Sequence, residues 1–286
     1  MTADNYDMLY SIILILTPTR QTTIRATMGH QAHAAFLRTV READAALAEV
    51  LHHPGLSLRP FTISPLMGVD QARDGRVHVS PEQEYALRFT VLYEPIFQQF
   101  MRRFLAEKGR PIIRLGGAVF LIKEILVTPD SHPWAGYTSR AHILAEARPW
   151  PEITLEFVSP TAFNFGTKPW GKRFVVLPDP EPVFGSLIRT WNALAPPGLQ
   201  VETAALKAYL ADNVVIRRLE NLETRMLCYR KHPQIGFVGR VTYGLMGAGD
   251  EGVKSQLNAL GDFAFYSSVG YHTTMGMGQC HRIRNG

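Results

Sequence analysis

Gly261-Asp262-Phe263-Ala264-Phe265-Tyr266-Ser267-Ser268-Val269-Gly270-Tyr271-His272-Thr273-Thr274-Met275-Gly276-Met277-Gly278-Gln279-Cys280-His281-Arg282 is the stretch on which the reading of this chain turns. An apolar, aromatic helix end runs into a glycine-rich loop, which passes straight into a short strand. Gly270, Gly276 and Gly278 can take backbone angles closed to other residues and let a ligand approach the main chain. Thr273 and Thr274 add hydroxyl donors, and His272, His281 and Arg282 add positive charge. Bare amides, hydroxyls and cations together form a phosphate-facing surface. The competing reading is a tight turn that needs glycine only for its own geometry.

The rest of the chain supports a protein of ordinary domain size twice over. Its 286 residues are 46% hydrophobic, which suits two domains. Lys and Arg number 30 against 25 Asp and Glu, a modest excess that permits a nucleic-acid partner without demanding one. The ten histidines titrate nearest neutrality. Cys228 and Cys280 lack metal-ligand spacing and fit a reducing compartment, so a cytoplasmic location is expected. The apolar run Met8 to Leu16 is too short for a bilayer and lacks the flanks of a signal peptide, so no membrane partner is expected.

Element by element, Tyr6 to Leu16 reads as a strand and Pro18 to Gly29 as a polar connection. His33 to Val50 reads as helical, with Phe36, Leu37, Val40, Leu47 and Val50 inward. Arg59 to Leu66 and Glu84 to Leu92 read as strands, the second alternating through Tyr85, Leu87, Phe89 and Val91. Pro95 to Glu107 has helical spacing, and Pro111 to Val127 reads as a strand or hairpin broken at Gly116-Gly117. This order is the split βαβ arrangement of ferredoxin-like and RNA-recognition folds. A proline-containing link follows from about Pro129 to Pro151. The second half brings a strand at Ile153 to Val158, a basic-tipped hairpin region over Ser159 to Phe174, and helices at Pro182 to Leu194 and Thr203 to Asn213. Strands at Leu222 to Arg230 and Gly236 to Met246 lead to a helix at Gly252 to Ser268. The expected class is therefore α+β, with two similar domains over 1–130 and 150–286.

Three places carry chemistry. Gly29-His30-Gln31-Ala32-His33 opens the first helical segment, and Val50-Leu51-His52-His53-Pro54-Gly55 closes it. Pro54 and Gly55 are stop signals, so His52 and His53 sit at a helix C-terminus, which favours a protonated ring. On one straight helix His33 and His52 would lie roughly 28 Å apart at 1.5 Å per residue. They can act on one phosphate only if the chain turns back, and Asp44 is a good N-cap for a second short helix. The second place is Phe163-Asn-Phe-Gly166-Thr-Lys168-Pro-Trp170-Gly171-Lys172-Arg173-Phe. Its glycines and proline make a hairpin tip that projects Lys168, Lys172 and Arg173 beside Trp170, equipment for phosphates and unpaired bases. The third is the glycine loop itself. Gly247-Ala-Gly249-Asp-Glu-Gly252 spells G-x-G-x-x-G, but Asp250 and Glu251 would repel a pyrophosphate and only one strand follows, so a nucleotide-binding enzyme is set aside. No metal-ligand constellation is apparent.

Taken together, these pieces resemble the CRISPR repeat-processing endoribonucleases, the sixth Cas family. The resemblance rests on the helix ending in Leu-His before Arg59-Pro60-Phe61-Thr62-Ile63-Ser64-Pro65-Leu66, on Ser159-Pro160-Thr161-Ala162-Phe163 and on Gly236-Phe-Val-Gly-Arg240-Val. Most of all it rests on the Phe263-Ala-Phe-Tyr266-Ser-Ser-Val-Gly270 block with its loop. It implies two tandem ferredoxin-like domains and a cofactor-free, metal-independent cut in repeat RNA. In that reaction the 2′-hydroxyl attacks the adjacent phosphate and leaves a 2′,3′-cyclic phosphate and a 5′-hydroxyl. His52 matches the family's histidine at the end of the first helical segment as general base or acid, His33 a second histidine of some members, and His53 a close substitute. The Lys168–Arg173 turn resembles the hairpin at the foot of an RNA stem, and the loop carrying Gly270, His272, Thr273, Thr274, Gly276 and Gly278 resembles the one that holds RNA backbone. The lysine of a Tyr–His–Lys triad has no counterpart after His52. The resemblance also admits effector-complex subunits or a second copy as partners, and a non-cleaving RNA-binding subunit as the alternative function.

Overall fold

A computed structural model of the chain describes residues 3–53, 55–56, 58–70, 75–105, 109, 111–228, 233–248 and 250–284. Two βαββαβ units succeed one another. The first comprises β1 (Met8–Pro18), a short β2 (Thr22–Arg25), α1 (Gly29–Ala43), α2 (Ala45–His52), β3 (Phe61–Ile63), a short β4 (Arg76–Val79), β5 (Tyr85–Val91), α3 (Glu94–Leu105), β6 (Ile112–Leu115) and β7 (Ala118–Leu126). Between the units lie β8 (Gly136–Ser139) and α4 (Arg140–Glu146). The second comprises β9 (Glu152–Thr161), the hairpin β10 (Phe163–Lys168) and β11 (Gly171–Val175), α5 (Pro180–Leu194), α6 (Thr203–Asn213), β12 (Val214–Cys228), β13 (Pro233–Leu245), α7 (Glu251–Ser267) and β14 (Cys280–Ile283).

The two main sheets share one topology. Strands run β3-β5-β1-β7 in the first, with β6 beyond β7, and β12-β13-β9-β14 in the second. In each, the unit's first strand lies between its third and fourth, the ferredoxin-like order, and every pairing is antiparallel. Tyr85, Leu87, Phe89 and Val91 point into one core with Phe36, Phe61 and Phe100. A second core gathers Trp191, Phe184, Phe263 and Phe157. No helix among the described residues is long and apolar enough to cross a membrane.

Several elements depart from the sequence reading. The polar connection after β1 contains β2, which pairs with β4 in a separate two-stranded ribbon. The link at 129–151 carries β8, which pairs with β1, so it is built into the first sheet. β12 begins at Val214, well before Leu222, because its long exposed course lacks the half-buried alternation that marks a strand. Val50 is 44% exposed, since the chain breaks at Asp44 and Ala48 and Leu51 take the inward positions of α2. Glu107, Arg230 and Pro54 lie outside the described residues.

The sheet of the first unit is covered on its other face by the second unit. Arg88 on β5 is wholly buried there. Its Nε donates to Ser11 Oγ at 2.7 Å, Nη1 to Gln279 Oε1 at 2.8 Å, and Nη2 to the Phe265 carbonyl. The guanidinium lies beside the stacked rings of Trp134 and Phe265, 4.6 and 4.4 Å from their centroids. Burial pushes its pKa down to about 9. Gln279 in turn donates to Ser268 Oγ at 2.9 Å, and Ser268 donates to Thr62 Oγ1 at 3.1 Å. The glycine-rich loop is thus pinned against β3 of the other unit, which positions everything that follows.

Candidate functional site

The break expected near Asp44 is present. Asp44 has an extended backbone (φ −153°, ψ 101°) and its Oδ1 accepts the Leu47 amide at 2.9 Å, so it ends α1 and caps α2. His52 is the last residue of α2 and is exposed. His53 follows, and its Nδ1 accepts the Gly55 amide at 3.1 Å, which engages that ring in its own turn.

His33 lies on α1, half-buried against Phe61 with ring centroids 5.5 Å apart. Its Nδ1 is 3.2 Å from the carbonyl oxygen of Thr274. A carbonyl only accepts, so Nδ1 carries the hydrogen and Nε2 is left with its lone pair in the neutral ring. Burial holds the His33 pKa below the ordinary histidine value; the Thr274 bond opposes this, and the charges of Arg59, His30 and His52 reinforce it. Those last three side chains therefore share one electrostatic neighbourhood with His33. The fold-back thus places His52 within electrostatic reach of His33.

The loop that reaches His33 is held by chain-on-chain contacts. Val269 N donates to the Gly278 carbonyl at 2.8 Å, Gly278 N to the Pro160 carbonyl at 3.0 Å, and Tyr271 N to the Ala162 carbonyl at 2.9 Å. A Cβ on Gly278 would stand 2.0 Å from the Val269 oxygen, and one on Gly270 2.5 Å from the Ala162 oxygen. Both glycines have positive φ (75° and 89°). Gly276 and Gly278 are buried. The space beside Gly270 and Gly278 that a side chain would need is filled by the protein's own backbone. At Thr273–Met275 the loop makes a single 3-10 turn against the start of α1, where a Cβ on Gly29 would meet the Met275 oxygen at 2.0 Å.

The expected cations of this region are also corrected. His272 sits in the left-handed region (φ 55°, ψ 34°) and stacks on Tyr271 at 3.7 Å. Burial, followed by the charges of Lys172 and His30, lowers its pKa to about 4, so the ring is neutral at pH 7. His281 faces Glu156 at 3.3 Å and meets the Trp134 ring edge-on at 4.7 Å, and Arg282 bonds to Asn258 and Asp262 within the second unit.

The basic hairpin forms as expected. Lys168 pairs with Gly171 across a Pro169-Trp170 turn, and Gly171 has φ 123°. Lys168, Lys172 and Arg173 are exposed, Trp170 is 71% exposed, and the Arg173 guanidinium lies 5.6 Å from the Phe165 ring. Phe174 meets Tyr271 at 5.4 Å, so an aromatic series runs from the hairpin through Tyr271 to His272.

Between the units opens a cleft of about 910 Å³. Gly270, His272, Thr273 and Thr274 line it; Gly276, Gly278 and the hairpin cations do not. It is also lined by Arg59, Arg189 and Lys207, which the sequence reading did not single out. Arg59 stood within a quoted block, and Arg189 and Lys207 are exposed positions on expected helices whose polar faces carry no motif. Among the described residues no cluster of three or more His, Cys, Asp or Glu could hold a metal ion. In the G-x-G-x-x-G segment Gly249 lies outside the described residues; Glu251 lies in the first turn of α7, where its charge suits the helix end.

Two family profiles match the chain: the CRISPR Cas6 N-terminal domain over residues 8–145, and the CRISPR-associated endoribonuclease Cas6 over residues 155–280. Among solved structures, the Cas6 of Thermus thermophilus as a product complex is 26% identical, with a TM-score of 0.81, covering 97% of this chain and 100% of that one. Another structure of the same Cas6 has a TM-score of 0.70 at 26% identity, over 97% and 99%. A second Cas6, also a product complex, has a TM-score of 0.74 at 26% identity, over 97% and 100%. No curated protein matches the chain in sequence.

Proposed function

The chain belongs to the CRISPR-associated endoribonuclease Cas6 family, and from that premise we propose that it binds CRISPR repeat RNA and cuts it without a metal, by attack of the RNA's own 2′-hydroxyl. The observation that carries this reading is the bond from His33 Nδ1 to the Thr274 carbonyl, with His52 and Arg59 in the same neighbourhood. The 2′-oxygen forms a bond to phosphorus as its proton passes to His33 Nε2. The bond from phosphorus to the 5′-oxygen breaks as that oxygen takes a proton from His52, placed at the carbonyl end of α2. The products are a 2′,3′-cyclic phosphate and a 5′-hydroxyl. Arg59 supplies the cation for charge developing on the phosphoryl oxygens, the place a triad lysine takes elsewhere in the resemblance. His53 is the weaker candidate because its ring is held by Gly55.

Lys168, Trp170, Lys172 and Arg173 hold the foot of a stem, by charge and by stacking. Thr273, Thr274 and the Gly270 backbone face the strand entering the cleft. Gly276 and Gly278 contribute by shaping the loop. The two RNA-holding domains in this reading are 1–130 and 150–286, supported by two hydrophobic clusters, the second of which also takes in Leu9 and Leu92 of the first unit. A cytoplasmic location suits the RNA substrate.

The test is incubation of a hairpin repeat RNA with the full chain in EDTA, followed by identification of the product ends. Cleavage to a cyclic phosphate that chelator does not affect, and that His33→Ala abolishes while RNA remains bound, is the expected result. Tight binding with no cyclic phosphate over long incubation selects the non-cleaving subunit instead. Cleavage that disappears in EDTA and returns with a divalent ion overturns the mechanism.

A further inference from the structure

The β2–β4 ribbon has no part in the scheme above. Its register is Thr22 with Val79, Thr23 with His78, Ile24 with Val77 and Arg25 with Arg76. Alternation sends Ile24, Val77 and Val79 into the core, where each is nearly inaccessible. Residues directly opposed in an antiparallel pair project from the same face, so Thr23, Arg25, Arg76 and His78 share the outward one. The 3.0 Å contact of Thr23 Oγ1 with His78 Nδ1 agrees with that geometry. Arg25, Arg76 and His78 are all exposed.

Arg25 and Arg76 are like charges placed directly opposite each other, an arrangement that costs stability. Neither meets an acidic side chain among the described residues. Elsewhere in the chain arginines do find acids: Arg103 with Glu42, Arg217 with Glu152, Arg240 with Glu156, Arg284 with Asp262. Two exposed arginines on a core-anchored ribbon, with no acid beside them among the described residues, offer guanidinium forks suited to phosphate.

Ala26 N donates to the Gly75 carbonyl at 2.9 Å and closes the ribbon end carrying both arginines. Four residues after Arg25 comes Gly29, the first residue of α1, so their Cα atoms lie within about 14 Å. That helix start has no side-chain cap and no acid in its first turn, and His33 follows one turn on. The ribbon therefore belongs to the first unit, one short connection from the helix that carries His33, while the Lys168–Arg173 hairpin belongs to the second. We propose that the outward face of this ribbon binds the phosphate backbone of a single-stranded RNA segment flanking the cut, with Arg25 and Arg76 as the contacting residues and His78 beside them. This deepens the RNA-cleavage reading and rests on it.

The test uses the full chain and repeat RNAs carrying a 2′-deoxy nucleotide at the cleavage position, which removes the nucleophile. One RNA keeps its single-stranded flanks and the other is trimmed to the stem-loop. Affinity is measured across a salt series for the wild type and for Arg25→Gln with Arg76→Gln. With flanks present, the double variant is expected to bind at least about tenfold more weakly at low salt. Its slope of log affinity against log salt should be smaller by about 1.4, since each single-strand phosphate contact contributes about 0.7. On the trimmed RNA the two proteins should coincide. The Tm of the variant should equal or exceed that of the wild type, because an opposed like-charge pair has gone. Identical affinities and slopes on both RNAs overturn the ribbon's role, as does a variant Tm several degrees below the wild type, which would make the arginines structural. If the wild type itself does not bind the flanked RNA, the RNA-cleavage reading falls and the inference with it; if it binds and the variant matches it, the inference alone falls.

Discussion

His33 on the first helix and Thr274 in the C-terminal loop stand 241 positions apart, yet the imidazole Nδ1 lies 3.2 Å from the Thr274 carbonyl oxygen. The bond joins the two ferredoxin-like units at the point where proposed chemistry occurs. It also sets the tautomer, so that the second domain decides which nitrogen of a first-domain histidine can accept a proton.

Removing that imidazole should act on rate and spare binding. His33→Ala is expected to lower single-turnover cleavage by about 10²–10⁴, with RNA affinity unchanged within a factor of two. Because burial lowers the His33 pKa, the ring stays neutral to a pH below the ordinary histidine value. The acid limb of the wild-type pH–rate profile should therefore begin below about 6.5, with the rate falling as pH drops through the lowered value. A limb centred above 7 would remove His33 from the role of base.

Gly29→Ala tests the docking that makes the His33–Thr274 bond. A Cβ there would stand 2.0 Å from the Met275 oxygen, and backbone cannot yield as a side-chain tip can. The 3-10 turn must move off α1, at a cost of about 1–3 kcal/mol. Denaturant unfolding should show that loss, and the cleavage rate should fall more than RNA affinity does. Unchanged stability together with unchanged rate would mean the loop does not position His33.

His272 predicts acid sensitivity. Its folded pKa is lowered to about 4, while in the unfolded chain it titrates near 6.5. Between those values the unfolded chain binds the proton more readily, so stability is full above about 6.5 and falls as pH drops toward 4. His33, His132 and His281 shift in the same direction and contribute to the same decline. His272→Asn keeps a residue that tolerates the left-handed backbone. It should reduce the fall in Tm between pH 7 and pH 4.5 by about 2–4 °C, measured by calorimetry without RNA. An unchanged fall would show that His272 titrates normally in the folded protein.

Trp170 at the hairpin tip should matter to RNA and not to folding. At 71% exposure it supports little packing, so Trp170→Ala should leave Tm within a degree or so of wild type. Loss of one stacked base should weaken RNA binding by about 1–3 kcal/mol, read by titration at fixed salt.

Some of this could be read directly from residue order. The alternation of Tyr85, Leu87, Phe89 and Val91 identified β5, and Thr203–Asn213 was bounded to the residue. Asp44 announced the break between α1 and α2, and Lys168 to Gly171 announced the hairpin tip. These features depend on contacts within a few residues, where side-chain period and turn chemistry speak plainly. The β2–β4 ribbon was missed because strands of four residues, one face polar, look like a connection until their distant partner is known. β8 was missed for the same reason, since its partner is β1. At Val50 a continuous helical count fails, because the break at Asp44 resets its phase.

The kinds of residues and their neighbours along the chain pointed to two ferredoxin-like units, to Asp44 as the place where the first helix breaks if His33 and His52 share a site, and to a glycine-rich loop before the last strand. They could not say what fills the space beside those glycines, and it is the protein's own backbone at Ala162 and Val269. Nor could they tell that His272 is neutral, or that the charges of Arg59 and His52 bear on His33, because desolvation and charge effects are set by whatever packs nearby in space. Periodicity and turn preference act along the chain and are written there; protonation, tautomer and cleft arise only when one unit docks against the other.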